Sequence, residues 1–364
     1  MECLQKHIWN NWTKESFQEL NIEALDETLW KKIKENWDTV AKPLDGMGRF
    51  ETLIAQIGAI SGSENINIAK RAVIIMCSDN GIVEENISQS GQEVTAIVAE
   101  KMAQRRSSVG KMADWIKADT IPVDIGINRK ESIPGVLNRK VRCGTRNFKN
   151  EPAMTEEEAV QAIVTGIEIV EDCKKKGYQI LAIGEMGIGN TTTSSAVTAS
   201  LLKCDVKEVT GRGAGLSDEQ LIHKQEIIEE AIRKYELKNA DAFTILQTVG
   251  GYDIAGLAGV CIGGALFHIP IVLDGVISMA AALLAERLVP GTKVYLLASH
   301  KGKEPAVEKL AKELEVVPVI DGKMALGEGT GALMLFPLLE MALSVYQERT
   351  TFSDIKLTPY TRYL

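Results

Sequence analysis

The sequence predicts an α/β protein: a Rossmann-like, mostly parallel sheet flanked by helices, with a small helical domain built from both chain ends. Three observations carry this. Short apolar runs (AVIIM, TIPVDI, QILAI, IPIVL and KVYLLA) recur without polar alternation, as in strands covered on both faces. Helical patterns of ten or more residues separate most of them. Polar, glycine-rich segments follow the runs, and open parallel sheets bind ligands at such strand ends.

Taken in order, Asn21 to about Ser61 carries Leu, Ile and Trp at helix spacing, broken by the Pro/Gly loop KPLDGMGR (Lys42–Arg49). Ala72–Met76 is a buried-type strand ending in the polar turn Cys77–Gly81. One helix is expected across Ile97, Met102 and Val109, then a strand at Thr120–Ile125. Thr155–Lys176 is a helix whose Thr155 and Glu158 form a capping box. Strand Gln179–Ile183 runs into a glycine loop and a helix of small residues. GRGAG (Gly211–Gly215) precedes the helix LSDEQLIHKQEI. Asp241–Leu266 is helical, followed by strand Ile269–Leu273, helix Ser278–Leu288, strand Lys293–Ala298, helix Lys303–Leu314 and a short strand, Val316–Val319. Ala332–Gln347 is one apolar helix. The terminal helices lie outside the alternation, so residues 1–60 and 335–364 are expected to form the small domain and 61–334 the large one.

Composition narrows the function. A net charge of −8, with no basic face, argues against a nucleic-acid partner. Six cysteines (Cys3, Cys77, Cys143, Cys173, Cys204, Cys261) show no CxxC pair, and the histidines (His7, His223, His268, His300) are dispersed, so no metal site is expected. The first thirty residues lack an apolar leader core, and a cytoplasmic location is expected. Ile254–Leu273 contains no Lys, Arg, Asp or Glu, but its length, with Pro270 inside it, suits a buried helix plus a strand better than a membrane span.

The most informative stretch is LAIGEMGIGNTTTSSAVTA (Leu181–Ala199). Glycines at 184, 187 and 189 let backbone approach a ligand, and the helix opening at Asn190-Thr191 offers unpaired N–H groups: an anion site. It lacks the GxxxxGK[ST] spacing, and no lysine follows the last glycine. Glu185, inside the loop, suggests chemistry beside the phosphate. Glu328 stands between Gly327 and Gly329, unshielded by neighbouring side chains. Arg212 and Lys224 are natural phosphate partners; Asp79 and Asp274 could orient loops or bind hydroxyls, or simply cap helices.

With these loops in view, the chain resembles the nicotinate-nucleotide–dimethylbenzimidazole phosphoribosyltransferases. The resemblance runs from Lys42 to Met341 through KPLDGMGRFETL, SDNGIVEENISQSGQEVTA, GEMGIGNTTTSSA, GRGAGLSDEQLIHK, GGYDIAGLAGV, PIVLDGVIS, ASH and LGEGTGALM, in that order. It implies a Rossmann-type domain with a small helical domain from both termini, a homodimer or a heterodimer with a homologous chain, and no cofactor. It implies Glu328 as catalytic base and Glu185 as an acid near the ribose. Gly187, Gly189, Asn190, Thr191, Arg212, Lys224 and Asp274 would hold the nucleotide. Ser78, Asp79, Asn80, Gln92, Met186 and Leu326 would face the acceptor base. Two segments depart from the common family pattern: Asp79-Asn80-Gly81 where DHG is frequent, and Ser90-Gly91-Gln92 where YPQ is frequent. Both fall on the acceptor side.

The reaction so implied moves the phosphoribosyl group of nicotinate mononucleotide to an aromatic base such as 5,6-dimethylbenzimidazole, for the lower ligand of a cobamide. Phenol or p-cresol, handled by a pair of homologous chains, is the alternative, as is a non-catalytic subunit of such a pair. The acceptor's acidity separates these. A phenol with a pKa of about 10 lies roughly six units above a free glutamate, whereas a benzimidazole gives up its proton only after its bare ring nitrogen has attacked.

Overall fold

The computed structural model describes residues 11–362; Cys3, His7 and the outermost residues of the expected terminal domain lie outside the described residues. Six strands form one parallel sheet: β1 (Arg71–Ser78), β2 (Asp119–Gly126), β3 (Leu137–Asn138), β4 (Ile180–Met186), β5 (Ile271–Leu273) and β6 (Leu296–Ala298). Their order is β3-β2-β1-β4-β5-β6. The chain thus runs outward through β2 and β3, returns across β1, and continues on the other side from β4. A crevice opens between the carboxyl ends of β1 and β4, where that direction reverses. Cys77 pairs with Met186 at this point, so the turns after the two strands emerge side by side.

Both faces of the sheet are covered, which explains the unbroken apolar strands. One face packs Ala72, Ile74, Met76, Leu181 and Ile183 against α5 (Glu156–Lys175), α6 (Asn190–Leu202), α9 (Tyr252–Leu266) and α10 (Val276–Leu288). The other packs Val73, Ile75, Ile180 and Ala182 against residues of α1 (Glu27–Thr39), α2 (Arg49–Ser61), α3 (Glu93–Ala103), α4 (Ser108–Trp115) and α12 (Thr330–Gln347). The terminal helices α1, α2 and α12 therefore share a core with the sheet. Alternating residues of β1 and β4 point to opposite faces, as the pleat requires. The capping box at Thr155 and Glu158 is present, with Glu158 N–H donating to Thr155 Oγ1 at 3.2 Å.

The run Ile254–Leu273 resolves into buried α9 and the buried strand β5. Among the described residues α12 is long and apolar enough to cross a membrane by length and composition, and 56% of it is buried.

Several expected boundaries shift, each for a local reason. The single helix across Ile97–Val109 is two, because Arg105 takes a left-handed conformation (φ 55°) and Ser107 caps α4 by accepting from Gly110 N–H. Asp241–Leu266 likewise divides at Gly250-Gly251 into α8 (Ala242–Val249) and α9. Thr292–Tyr295 winds into a 3₁₀ turn before β6 begins. Val316–Val319 is not a strand; β8 (Ile320–Met324) follows it and pairs with β7 (His300–Gly302), largely exposed and so without an apolar signature. Two further helices, α7 (Asp218–Lys234) and α11 (Ala306–Glu313), complete the molecule.

Candidate active site

The turn after β4 is the centre of the crevice. Gly189, in the left-handed region at φ 94°, is the N-cap of α6, and no side chain caps that helix. Asn190 N–H and Thr192 N–H bond the Gly187 and Gly189 carbonyls at 3.1 and 2.9 Å, and the helix start, with its partial positive charge, faces the cleft without a side-chain cap. Glycine is also demanded at 184, for a different reason. A Cβ there would run into the backbone of Glu328 and Gly329. Without it, the turn before α12 lies directly on β4, and the Glu328 N–H donates to the Glu185 carbonyl at 3.3 Å.

Glu328 and the glycine turn, 143 positions apart in sequence, are thus in contact. The Glu328 Oε2 accepts from the Val109 N–H in the first turn of α4 at 3.1 Å. That bond favours the ionised carboxylate, whereas partial burial, the larger effect, raises its pKa. Glu185 is bonded by the Asn190 amide across the turn. Burial first, then the charges of Asp253 and Asp274, push Glu185 up to about 8. Burial likewise lifts Asp253 and Asp274 to about 7. Three acids around one turn, Glu185, Asp253 and Asp274, thus titrate near neutrality, with Glu328, also raised by burial, beside them.

Asp274 lines the cleft, and its carboxylate caps α12: Oδ2 accepts from Gly329 N–H at 3.2 Å, and Oδ1 from Gly331 and Ala332 N–H at 2.8 and 3.1 Å. It thereby fixes the turn that presents Glu328. Asp253 has no exposed surface; Oδ1 accepts from Ile254 N–H at 3.0 Å and Oδ2 has no partner.

The cleft itself, of about 220 Å³, is lined by Glu185, Met186, Asn190, Thr191, Asp274 and Leu326, with Val276, Ile277 and Val307 as apolar walls. Behind the lining residue Thr191, Lys224 is wholly buried and donates to Thr191 Oγ1 at 2.9 Å and to Gly211 O at 3.3 Å. Burial draws its pKa down to about 8. A larger hollow of about 360 Å³ lies under α1 and α2 against β6, without the gathered acids or the glycine turn.

Other expected residues serve the site from behind. Ser78, Asp79 and Asn80 are buried, their side chains bonded to neighbouring backbone. Ser78 Oγ faces the Gly126 carbonyl at 3.4 Å, Asp79 Oδ2 accepts from Asn128 N–H at 2.8 Å, and Asn80 Nδ2 donates to Ile188 O at 3.4 Å. Gln92 ties Asn80 to Asn128. Strand ends leave unpaired backbone groups, and these polar side chains satisfy them. The Arg212 guanidinium bonds Leu216 O and the Asp218 carboxylate, bracing the loop whose Gly213 and Ala214 line the cleft. Among the described residues the one compact trio of carboxylates, Asp38, Asp45 and Glu51, is already neutralised by Lys34, Lys42 and Arg362.

The comparisons with known proteins agree with the fold. A family model described as "Phosphoribosyltransferase" matches residues 22–356. The nicotinate-nucleotide–dimethylbenzimidazole phosphoribosyltransferase of Clostridium acetobutylicum is 41% identical over 93% of this chain and 96% of its own length. The chain belongs to that family. The family enzyme of Ruminiclostridium cellulolyticum is also 41% identical, over 95% of this chain and 97% of its own. The crystal structure of CobT from Thermus thermophilus superposes with a TM-score of 0.87 at 32% identity, covering 92% of this chain and 100% of that one.

Within this family frame, Asp253 is the main residue that sequence reasoning missed. Its signal was partial: it is the acid that precedes an uncharged apolar run, a place that a helix start also favours.

Proposed function

We propose that this chain transfers the phosphoribosyl group of nicotinate mononucleotide to a benzimidazole-type base, releasing nicotinate and an α-linked nucleotide. One observation carries the reading: the Glu328 amide sits 3.3 Å from the Glu185 carbonyl, so a candidate base adjoins the uncapped turn that suits a phosphate. Lys224 and the α6 amides hold the phosphate, and Glu185 faces the sugar. The donor's ring nitrogen is already cationic, so nicotinate departs without a general acid. The acceptor's bare nitrogen attacks the anomeric carbon, and its other N–H, made acidic by the new bond, passes its proton to Glu328. A carboxylate suffices for that step, and the Val109 N–H bond, which favours the ionised form, offsets part of the burial that raises the Glu328 pKa. A phenol demands a far stronger base.

The chain is also proposed to work as a dimer. Met334, Met341 and Val345 are exposed on α12 at heptad-like spacing, with Trp115 of α4 also exposed. Light scattering on the purified chain should give twice the monomer mass, and Met341→Asp should shift it toward the monomer; a monomeric parent protein refutes the assembly.

The test of function is a panel of benzimidazoles, adenine, phenol and p-cresol with nicotinate mononucleotide, scored by mass spectrometry. Riboside phosphates of benzimidazoles, with matching nicotinate release, are expected. No nicotinate release with any acceptor overturns the proposal.

A further inference from the structure

His300 lines the cleft and yet is only 3% exposed. It starts β7, one residue beyond β6, and its ring lies against Gly331 at the start of α12. Its neighbours determine which nitrogen carries the proton. The Ser299 hydroxyl donates its single hydrogen to the Leu273 carbonyl at 2.6 Å. Its oxygen, 3.1 Å from His300 Nδ1, can then only accept. The Asp274 Oδ1, an acceptor too, lies 3.9 Å from the same nitrogen. Nδ1 therefore bears the hydrogen, and burial, which lowers the imidazole pKa, keeps the ring neutral. Nε2 is left as a lone pair. Among the described residues no protein group bonds it, and it is not one of the enclosed atoms cut off from solvent, so it opens toward the cleft.

Once a ligand displaces water from the cleft, this acceptor needs a donor from the ligand. In the nucleotide assigned above, the phosphate and the nicotinate carboxylate can only accept at neutral pH, and the pyridinium nitrogen has no hydrogen. The sugar hydroxyls are the donors that remain. We propose that His300 Nε2 accepts a hydrogen bond from a ribose hydroxyl of the bound nucleotide, making it a sugar-binding residue held in one tautomer by Ser299. This rests on the nucleotide reading above. It also predicts discrimination against deoxyribose, because an unmet Nε2 would then be stranded in the closed site.

Two measurements test it. Isothermal titration would compare nicotinate mononucleotide with its 2′-deoxy and 3′-deoxy analogues on the parent protein and on His300→Phe. The variant should bind the parent nucleotide about three- to tenfold more weakly. It should bind one of the two deoxy analogues as well as the parent protein does. Equal weakening for all three ligands overturns the inference, since a structural or phosphate role would behave that way. Failure of the parent protein to bind nicotinate mononucleotide removes the functional reading instead, and this inference falls with it. Independently of any variant, ¹⁵N-histidine NMR of the unliganded protein at roughly neutral pH, where a free imidazole is already mostly neutral, should show His300 with Nδ1 protonated and Nε2 bare. The opposite tautomer, or an imidazolium, overturns it.

Discussion

Glu328 has a left-handed backbone, φ 60°, between Gly327 at 82° and Gly329 at 87°. A side chain in that region costs about 1–3 kcal/mol, and such strain clusters at working sites. The neighbouring glycines were readable from sequence, but the strain itself, and the Val109 amide that holds the carboxylate, were not. Glu328→Gln keeps the size and the bond to Val109 while removing basicity. Turnover should fall roughly 10²–10⁴-fold, with nucleotide affinity by titration nearly unchanged; near-normal turnover would remove Glu328 from the chemistry. Lys224 makes a different prediction. Pulled down to about 8 by burial, it is charged below that pH and loses its proton above it. Nicotinate mononucleotide should bind progressively more weakly as pH rises from about 8 to about 9.5. Lys224→Arg, charged throughout, should flatten that profile, and an unchanged slope in the variant would assign the titration elsewhere.

At the scale of elements, the site is a meeting of β4, α6 and the turn before α12. Gly184 permits the meeting, since a Cβ would strike the backbone of Glu328 and Gly329. Backbone cannot move aside as a side-chain tip can. Gly184→Ala should therefore lower stability by about 1–3 kcal/mol and reduce turnover more than tenfold; wild-type melting and kcat in this variant would show that the contact is not needed. The glycine turn and most apolar strands were legible because their signals are local. The breaks in α3–α4 and α8–α9 were harder, because each depends on a single left-handed residue or glycine pair inside an otherwise helical pattern. Strand β8 was invisible, its pairing with β7 leaving it exposed. Ser78, Asp79 and Asn80, expected on the acceptor side, secure the loops at the ends of β1 and β2.

For the whole molecule, burying acids couples folding to pH. Glu185, at about 8, and Asp253 and Asp274, at about 7, hold protons in the native state that the unfolded chain has released. Native protein thus binds more protons between about pH 4 and about pH 8, and its stability falls as pH rises through that window. Asp79, lifted to about 6, adds to this, while His300, lowered by burial, opposes it as one group against several. Lys224 opposes the trend from about 8, where the unfolded chain holds a proton the native state lacks, while the buried thiols of Cys77, Cys173 and Cys261, raised by burial, renew it above about pH 9. Melting temperature should therefore decline from about pH 5 to about pH 8, and Glu185→Gln should reduce the slope. A flat or rising profile across the upper half of that window would mean that these acids are ionised in the native protein.

The α/β class, the covered sheet, the glycine turn and the family blocks were determined by the sequence itself. They depend on spacing along the chain and on glycine chemistry, which are local properties. Tertiary structure alone decided that residue 328 meets residue 185, that Arg212 folds back on its loop, and that Asp253 completes a shared acid cluster. These outcomes turn on the strand order around β1 and β4 and on which buried polar atoms find partners, and both are properties of the assembled chain.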